Sequence, residues 1–254
     1  LFAPFVGRAA FAHKGGLHAS GVAKAVSSYE HIDPKLVGND RYIPISNQAG
    51  RASLLGRLKQ LGFAITAQDQ KLAQLTALIK SQESQGYAYD VADASFAVLA
   101  YQQFAQLKPY FTLESYHLSN EKRLNAKAQL VTVSEAVIKL IVKGQRVINV
   151  AEGNGPVNAL DNALRLSLKT AYPELAISRL SDYKVRILDS DQATKALTRV
   201  LITMSLEPGQ ASSHQLSHLS GNSFTSVGVS SDIIDASYQA LSDAYNYLLK
   251  LLAY

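Results

Sequence analysis

The stretches AEGNGPVNALDNAL (151–164) and VGVSSDIIDASYQAL (227–241) decide the fold. Each carries the end of an apolar, strand-like run through a turn of small polar residues into an amphipathic helix. Sliding the chain by 77 residues sets Ala159 on Ala236, Val157 on Ile234, Asn158 on Asp235, and Ala163-Leu164 on Ala240-Leu241. Self-similarity across a whole strand-to-helix passage marks an internal duplication. Val157, Leu160, Leu164, Leu168 and Ala171 share one face of the first helix. In the second, read over Ser231 to Leu252, the stripe is Ile234, Tyr238, Leu241, Tyr245, Leu248 and Leu252.

Strand patterns precede both helices. Alternation or β-branched runs cover 110–118, 129–134, 136–142 and 146–150 before the first, and 183–188, 198–206 and 224–229 before the second. The pattern is therefore βββα twice, an α+β domain with pseudosymmetry. Each sheet would cover one face with its helix and leave apolar surface to pack on the other unit or on a second chain, so dimerisation is expected. Between the last two strands, EPGQASSHQLSHLSGNS (207–223) reads as an exposed, mobile loop.

Upstream, residues 51–106 are helical and rich in Gln, with Leu72, Leu75 and Ile79 on one stripe and Val91, Ala94, Val98 and Tyr101 on another. Residues 1–50 are rich in Gly and His. They hold one helical pattern from Leu17 to Tyr29, ended by HIDPKLVGND, where Pro34 and the Gly38-Asn39-Asp40 cluster make a turn.

Composition excludes several classes of function. The 254 residues contain no Cys, which rules out disulfide frameworks, Cys-type zinc sites, iron–sulfur clusters and thiol nucleophiles, and is compatible with a cytoplasmic protein. No apolar run approaches the roughly 20 residues that span a bilayer, and the N-terminal LFAPFVGRAAFAHKGG lacks the pattern of a signal peptide. The chain starts without Met and in mid-pattern, so a fragment of a longer protein is expected. A net charge of +5 is spread diffusely, without the basic stripe and interleaved aromatics of a nucleic-acid binder.

Few residues suggest chemistry. His13 and His18 in HKGGLHASGVAK miss the i, i+4 spacing of a helical metal pair, and stand open to both a structural and a catalytic reading. His214 and His218 have that spacing, but in a loop-like setting. In the EGNGP turn, Gly153, Asn154 and Gly155 precede a helix N-terminus. They serve either a tight strand-to-helix connection or an anion held by free N–H groups and the helix dipole. Asp232 in the matching turn would repel phosphate. Two such turns facing each other near a two-fold interface would suit a small amino acid, with N–H groups for its carboxylate and Asp or Asn side chains for its ammonium.

PFVGRAAFAHKGGLHASGVAK, YEHIDPKLVGN, AGRASLL, QGYAYDVADASFAVL, AEGNGPVNALDNAL, YPEL, SDYKVRIL and SVGVSSDIIDASYQAL, in this order from residue 4 onward, resemble the C-terminal half of the 2-isopropylmalate, homocitrate and citramalate synthase family, nearest its citramalate branch. The resemblance implies a catalytic TIM barrel, absent from this chain, that binds a divalent metal and the 2-oxo acid; no cofactor is expected in the chain itself. It implies a linker subdomain over 1–50, a helical subdomain over 51–123 and a regulatory dimer domain over 124–254.

The same resemblance assigns roles. His18 would be catalytic in the condensation of acetyl-CoA with a keto acid, with Tyr29 beside it, and Lys24 and Tyr29 would approach acetyl-CoA. Gly153, Asn154, Gly155, Val157 and Asn158, with Ser231, Asp232 and Ile234, would form the effector pocket. Ala25 replaces an Asn common in relatives, and Phe224 and Tyr238 replace Trp residues. The implied whole is a cytoplasmic homodimeric (R)-citramalate synthase, joining acetyl-CoA to pyruvate under feedback by isoleucine. A 2-isopropylmalate synthase sensing leucine and a free-standing amino-acid-binding dimerisation module are the alternatives. The chain alone is expected to be inactive.

Overall fold

Strict alternation along Leu130–Val142 sends Ala136, Ile138, Leu140 and Val142 to one face of a sheet, where all four are buried. This strand, β2, pairs antiparallel with β1 (Phe111–Leu124) and β3 (Gln145–Gly153). Local chemistry fixes both hairpins. At Asn125 the carboxamide oxygen accepts from the N–H groups of Lys127 and Gln129, at 2.9 and 3.0 Å. Lys143 and Gly144 form a two-residue turn with φ of 49° and 78°, the geometry that matches strand twist.

The second unit repeats this design with β4 (Ser178–Ile187), β5 (Thr198–Leu206) and β6 (Ser223–Ser230) in the order β4-β5-β6. The computed structural model describes residues 4–7, 10–11, 21–22, 25, 29–39, 51–105, 107–188, 196–207 and 222–252. Most of the stretch read as a mobile loop, including His214 and His218, lies outside them, as do His13 and His18. No helix among the described residues is long and apolar enough to cross a membrane.

Three helices come before the sheets: α1 (Arg51–Gln60), α2 (Gln70–Ser84) and α3 (Asp93–Phe104). Each unit then ends in its own helix, α4 (Pro156–Leu168) or α5 (Ile233–Leu251). Pro156 opens α4, where its missing N–H costs nothing. Helix α4 packs on β2 and β3 and helix α5 on β5 and β6, and the two helices share one continuous core with the inner faces of both sheets. Within it, Tyr245 of α5 donates to the Asp161 carboxylate of α4 at 2.6 Å. The Arg165 guanidinium lies over the same ring and donates to the carbonyl oxygens of Leu175 and Ser178.

Phe224 and Tyr238, the aromatic residues singled out in the sequence, are both packed. Phe224 meets Tyr247 edge-on, and Tyr238 meets Tyr116 with ring centroids 5.7 Å apart. Strand β1 already begins at Phe111, so the boundary expected at 123/124 falls inside the first sheet, and the helical segment ends at Phe104. The two runs expected at 129–134 and 136–142 are one strand.

The units differ in loop length and in what covers their outer faces. Both first strands carry a bulge, at Leu113/Ser115 and at Leu180/Asp182, which makes Tyr116 and Tyr183 equivalent; the register then equates Ile138 with Ile202 and Val150 with Val227. On the outer face of the second sheet, α3 packs against β6, and Val227 is 1% exposed. On the first sheet nothing in the described chain takes that place, and Val150 and Ile148 are each 49% exposed.

Gly228 sits where helix α5 crosses β6. A Cβ there would collide with the Ala236 carbonyl oxygen and lie 2.9 Å from the Ala236 carbonyl carbon, and backbone cannot swing aside. Gly228→Ala should therefore lower stability by about 1–3 kcal/mol in urea denaturation. Gly56, inside α1 with open space around it, is the control: Gly56→Ala should raise stability by about 0.4–1 kcal/mol.

Candidate functional site

The two strand-to-helix turns are built differently. In the first, β3 ends at Gly153, where the helix backbone approaches so closely that a Cβ would lie 2.7 Å from the Ala159 Cα. Two amides lock the turn: the Asn154 N–H donates to the Asn158 side-chain oxygen at 3.0 Å, and the Asn162 side chain donates to the Glu152 carbonyl at 2.9 Å. Gly155 is the N-cap of α4 in extended backbone, and no side chain caps that helix end. The first-turn N–H groups of Val157 and Asn158 thus face outward beside open space at Gly155.

In the second turn the helix supplies its own anion. The Asp232 carboxylate caps α5, accepting from the N–H groups of Ile234 and Asp235 at 2.6 and 3.1 Å. The carboxylate remains exposed to solvent. One helix end is therefore a free donor set with the positive end of a dipole, and the other carries a fixed negative charge.

Contacts along β1 show how the turns are placed. Just before the strand, the Tyr110 N–H donates to Asn246 of α5 at 2.9 Å, and six residues on, within the strand, Tyr116 meets Tyr238. Helix α5 therefore runs opposite to β1, and its N-terminus points to the end of the sheet where β3 also finishes at Gly153. The Tyr116 hydroxyl is held above its ordinary pKa by burial first, and then by the nearby carboxylates of Asp235 and Asp232. Both turns thus look out over the same end of the first sheet. Among the described residues no hydrogen bond or ion pair joins one turn directly to the other.

At that end lies a row the sequence reading missed. Gly153 is in register with Ser134, and Ser134 with Asn120. Ser134 is buried and its hydroxyl donates to the Asn120 side chain at 2.8 Å. The signal was present: Ser134 has the same parity as Ala136 and Ile138, so it is a polar residue at an inward position. The equivalent row in the second sheet is Ile187, Thr198 and Ser230.

Of the residues expected near the condensation chemistry, Tyr29 is described and His18 and Lys24 lie outside the described residues. Tyr29 is 45% exposed, and its ring occupies the space a side chain at Gly21 would need.

A duplicated βββα domain with an exposed outer sheet face and two helix ends at one rim has the architecture of an allosteric dimerisation module. Residues 90–249 match the LeuA allosteric (dimerisation) domain family, and the chain belongs to it. Residues 5–86 match the homocitrate synthase post-HMGL domain-like family. Among its relatives is the (R)-citramalate synthase of Synechocystis sp., 42% identical over 250 residues, which are 98% of this chain and 43% of that protein. The (R)-citramalate synthases of Streptomyces coelicolor and Aquifex aeolicus are 43% and 40% identical, over 96% and 97% of this chain and 43% and 44% of their own length. The chain thus spans less than half the length of these relatives and matches their C-terminal half.

Loss of the α5 cap should be visible by itself. Asp232→Ala is expected to cost about 1 kcal/mol in chemical denaturation, while Asp232→Asn, which still caps, should stay within a few tenths of the parent chain.

Proposed function

We propose that this chain is the accessory and feedback-regulatory portion of an (R)-citramalate synthase, an acyltransferase that condenses acetyl-CoA with pyruvate, and that isoleucine is its effector. The observation that carries this reading is identity of about 40% with (R)-citramalate synthases across 96–98% of the chain. In this reading the effector lies between the two turns. Its carboxylate meets the uncapped N–H groups of Val157 and Asn158, with Gly153, Asn154 and Gly155 leaving room, and its ammonium meets Asp232, with Ser231 and Ile234 alongside. Asn120 and Ser134 supply further polar contacts on the floor.

The barrel that the resemblance implies would hold the divalent metal and the 2-oxo acid, and no described residue of this chain is assigned to that metal. His18, Lys24 and Tyr29 would reach a barrel across the dimer, where His18 takes part in proton transfer during carbon–carbon bond formation and Lys24 and Tyr29 approach acetyl-CoA. The chain alone would then turn over no substrate.

Dimerisation follows from the unequal outer faces. What α3 does for the second sheet, the same face of a second copy would do for the first, with Val137, Ile141, Ile148 and Val150 at the centre of a two-fold contact. Sedimentation should show dimers that Val150→Lys dissociates; an unchanged dimer would place the contact elsewhere.

Calorimetric titration of the dimeric chain tests the effector. Isoleucine should bind, and Asp232→Asn, which keeps the cap and removes the charge, should weaken binding at least tenfold. Preference for leucine would move the assignment to 2-isopropylmalate synthase, and binding of neither would overturn the pocket. In the full-length enzyme, His18→Ala should lower turnover by about 100-fold or more; unchanged turnover would make His18 structural.

A further inference from the structure

A second polar recess lies where the helical segment meets the second unit. It is a cleft of about 280 Å³ between α3 and α5, closed by the end of α2 and the loop that follows it. Its lining is unusual for a joint between packed elements. Asp243 of α5 is half-buried and lines the cleft, with a hydrogen bond to Ser95 of α3. Ser95 is itself fixed, accepting from the Val227 N–H at 2.9 Å.

Opposite stand Tyr87 and Tyr89, their rings stacked at 5.9 Å, with Gln82 and Gln102 completing the wall. No Lys, Arg or His is among the described residues that line the cleft. The carboxylates of Asp243, Asp235 and Glu83 act on the tyrosines, and a nearby cation, Arg199, lies outside the lining, where it donates to the Gly86 carbonyl and faces Glu83. Burial raises the hydroxyl pKa of both tyrosines, and Asp243 raises each further, helped by Asp235 for Tyr87 and by Glu83 for Tyr89. Tyr238, the remaining titratable group in the lining, is also raised by burial and stays neutral near pH 7.

We propose that this cleft binds a small primary ammonium compound, with the charged nitrogen on Asp243 and the carbon chain against Tyr87 and Tyr89. A half-buried carboxylate with no cation in its cleft is costly, and a bound ammonium supplies the missing charge and up to three donors. Tyrosine faces attract the same ion through their quadrupole, and Gln82 and Gln102 offer neutral carbonyls to its remaining hydrogens. A divalent metal fits poorly, since the cleft offers a single carboxylate where such ions take several oxygen ligands. The cleft is also tied to the second turn: the Gln239 side chain accepts from the Tyr87 hydroxyl at 3.0 Å and donates to Asp235 at 3.0 Å.

Without a ligand, burial pushes the Asp243 carboxyl up to about 7. A raised carboxyl pKa means the folded chain holds the proton more tightly than the unfolded one. Stability from this group is therefore full in acid and falls as pH rises from the ordinary carboxylate range through about 7. Ammonium binding requires the ionised form, so affinity must rise over the same interval.

The probe is n-butylammonium chloride, titrated calorimetrically into the chain at matched ionic strength, with n-butanol and sodium chloride as controls. Saturable binding is expected for n-butylammonium alone, about tenfold tighter at pH 8 than at pH 6, with a proton released at the lower pH. Asp243→Asn should abolish both the binding and its pH dependence. In the unsubstituted chain, the amide resonances of Ser95, Val227 and Ser242 should shift during the titration, a readout that does not depend on how the variant folds. No saturable binding at pH 8, equal binding by n-butanol, or shifts confined to other residues would overturn the proposal.

Discussion

The inner sheet face of each βββα unit and the stripe of its helix are apolar, and the fold keeps both out of water. The two units meet this constraint together. Helices α4 and α5 and the inner faces of both sheets form a single core, and the hydrogen bond from Tyr245 to Asp161 satisfies the buried polar groups at their junction. The two strand-to-helix turns lie at the edges of that core. Because each helix follows its last strand directly, both helix N-termini emerge at sheet ends, with free donors at one and a capping carboxylate at the other.

Much of this was legible in the residues, for identifiable reasons. The alternation in 130–142 and the helical stripes in 157–168 and 234–252 report burial on one face, and the structure buries those faces. The duplication was visible at a fixed slide only because the last strand and helix of each unit keep their spacing. Tyr116 to Tyr183 is 67 residues and Ile138 to Ile202 is 64, against 77 for Val150 to Val227, since the loops between strands differ in length. A single offset therefore found the final strand and helix of each unit and passed over the first two strands.

Other features depend on tertiary contact and leave little trace in sequence. Asp243 has the local look of a solvated helix residue between Ser242 and Ala244, and only the packing of α3 against α5 half-buries it beside Ser95. Asn120 and Ser134 become a pair through strand register, 14 residues apart in the chain. The contrast between the two outer sheet faces was equally hidden, because Val150 and Val227 are the same residue type in the same repeat position. What separates them is a helix that reaches only one of the two sheets.

That difference bears on how assembly ends. A tandem repeat with two equally bare sheets would offer two sticky faces per molecule, and contacts between them could propagate from copy to copy without limit. Here α3 blunts one face within the chain. Among the described residues one bare sheet face is left, and association through it is self-limiting: two copies that meet there cover each other's bare face and leave no described sheet face of that kind to extend a filament.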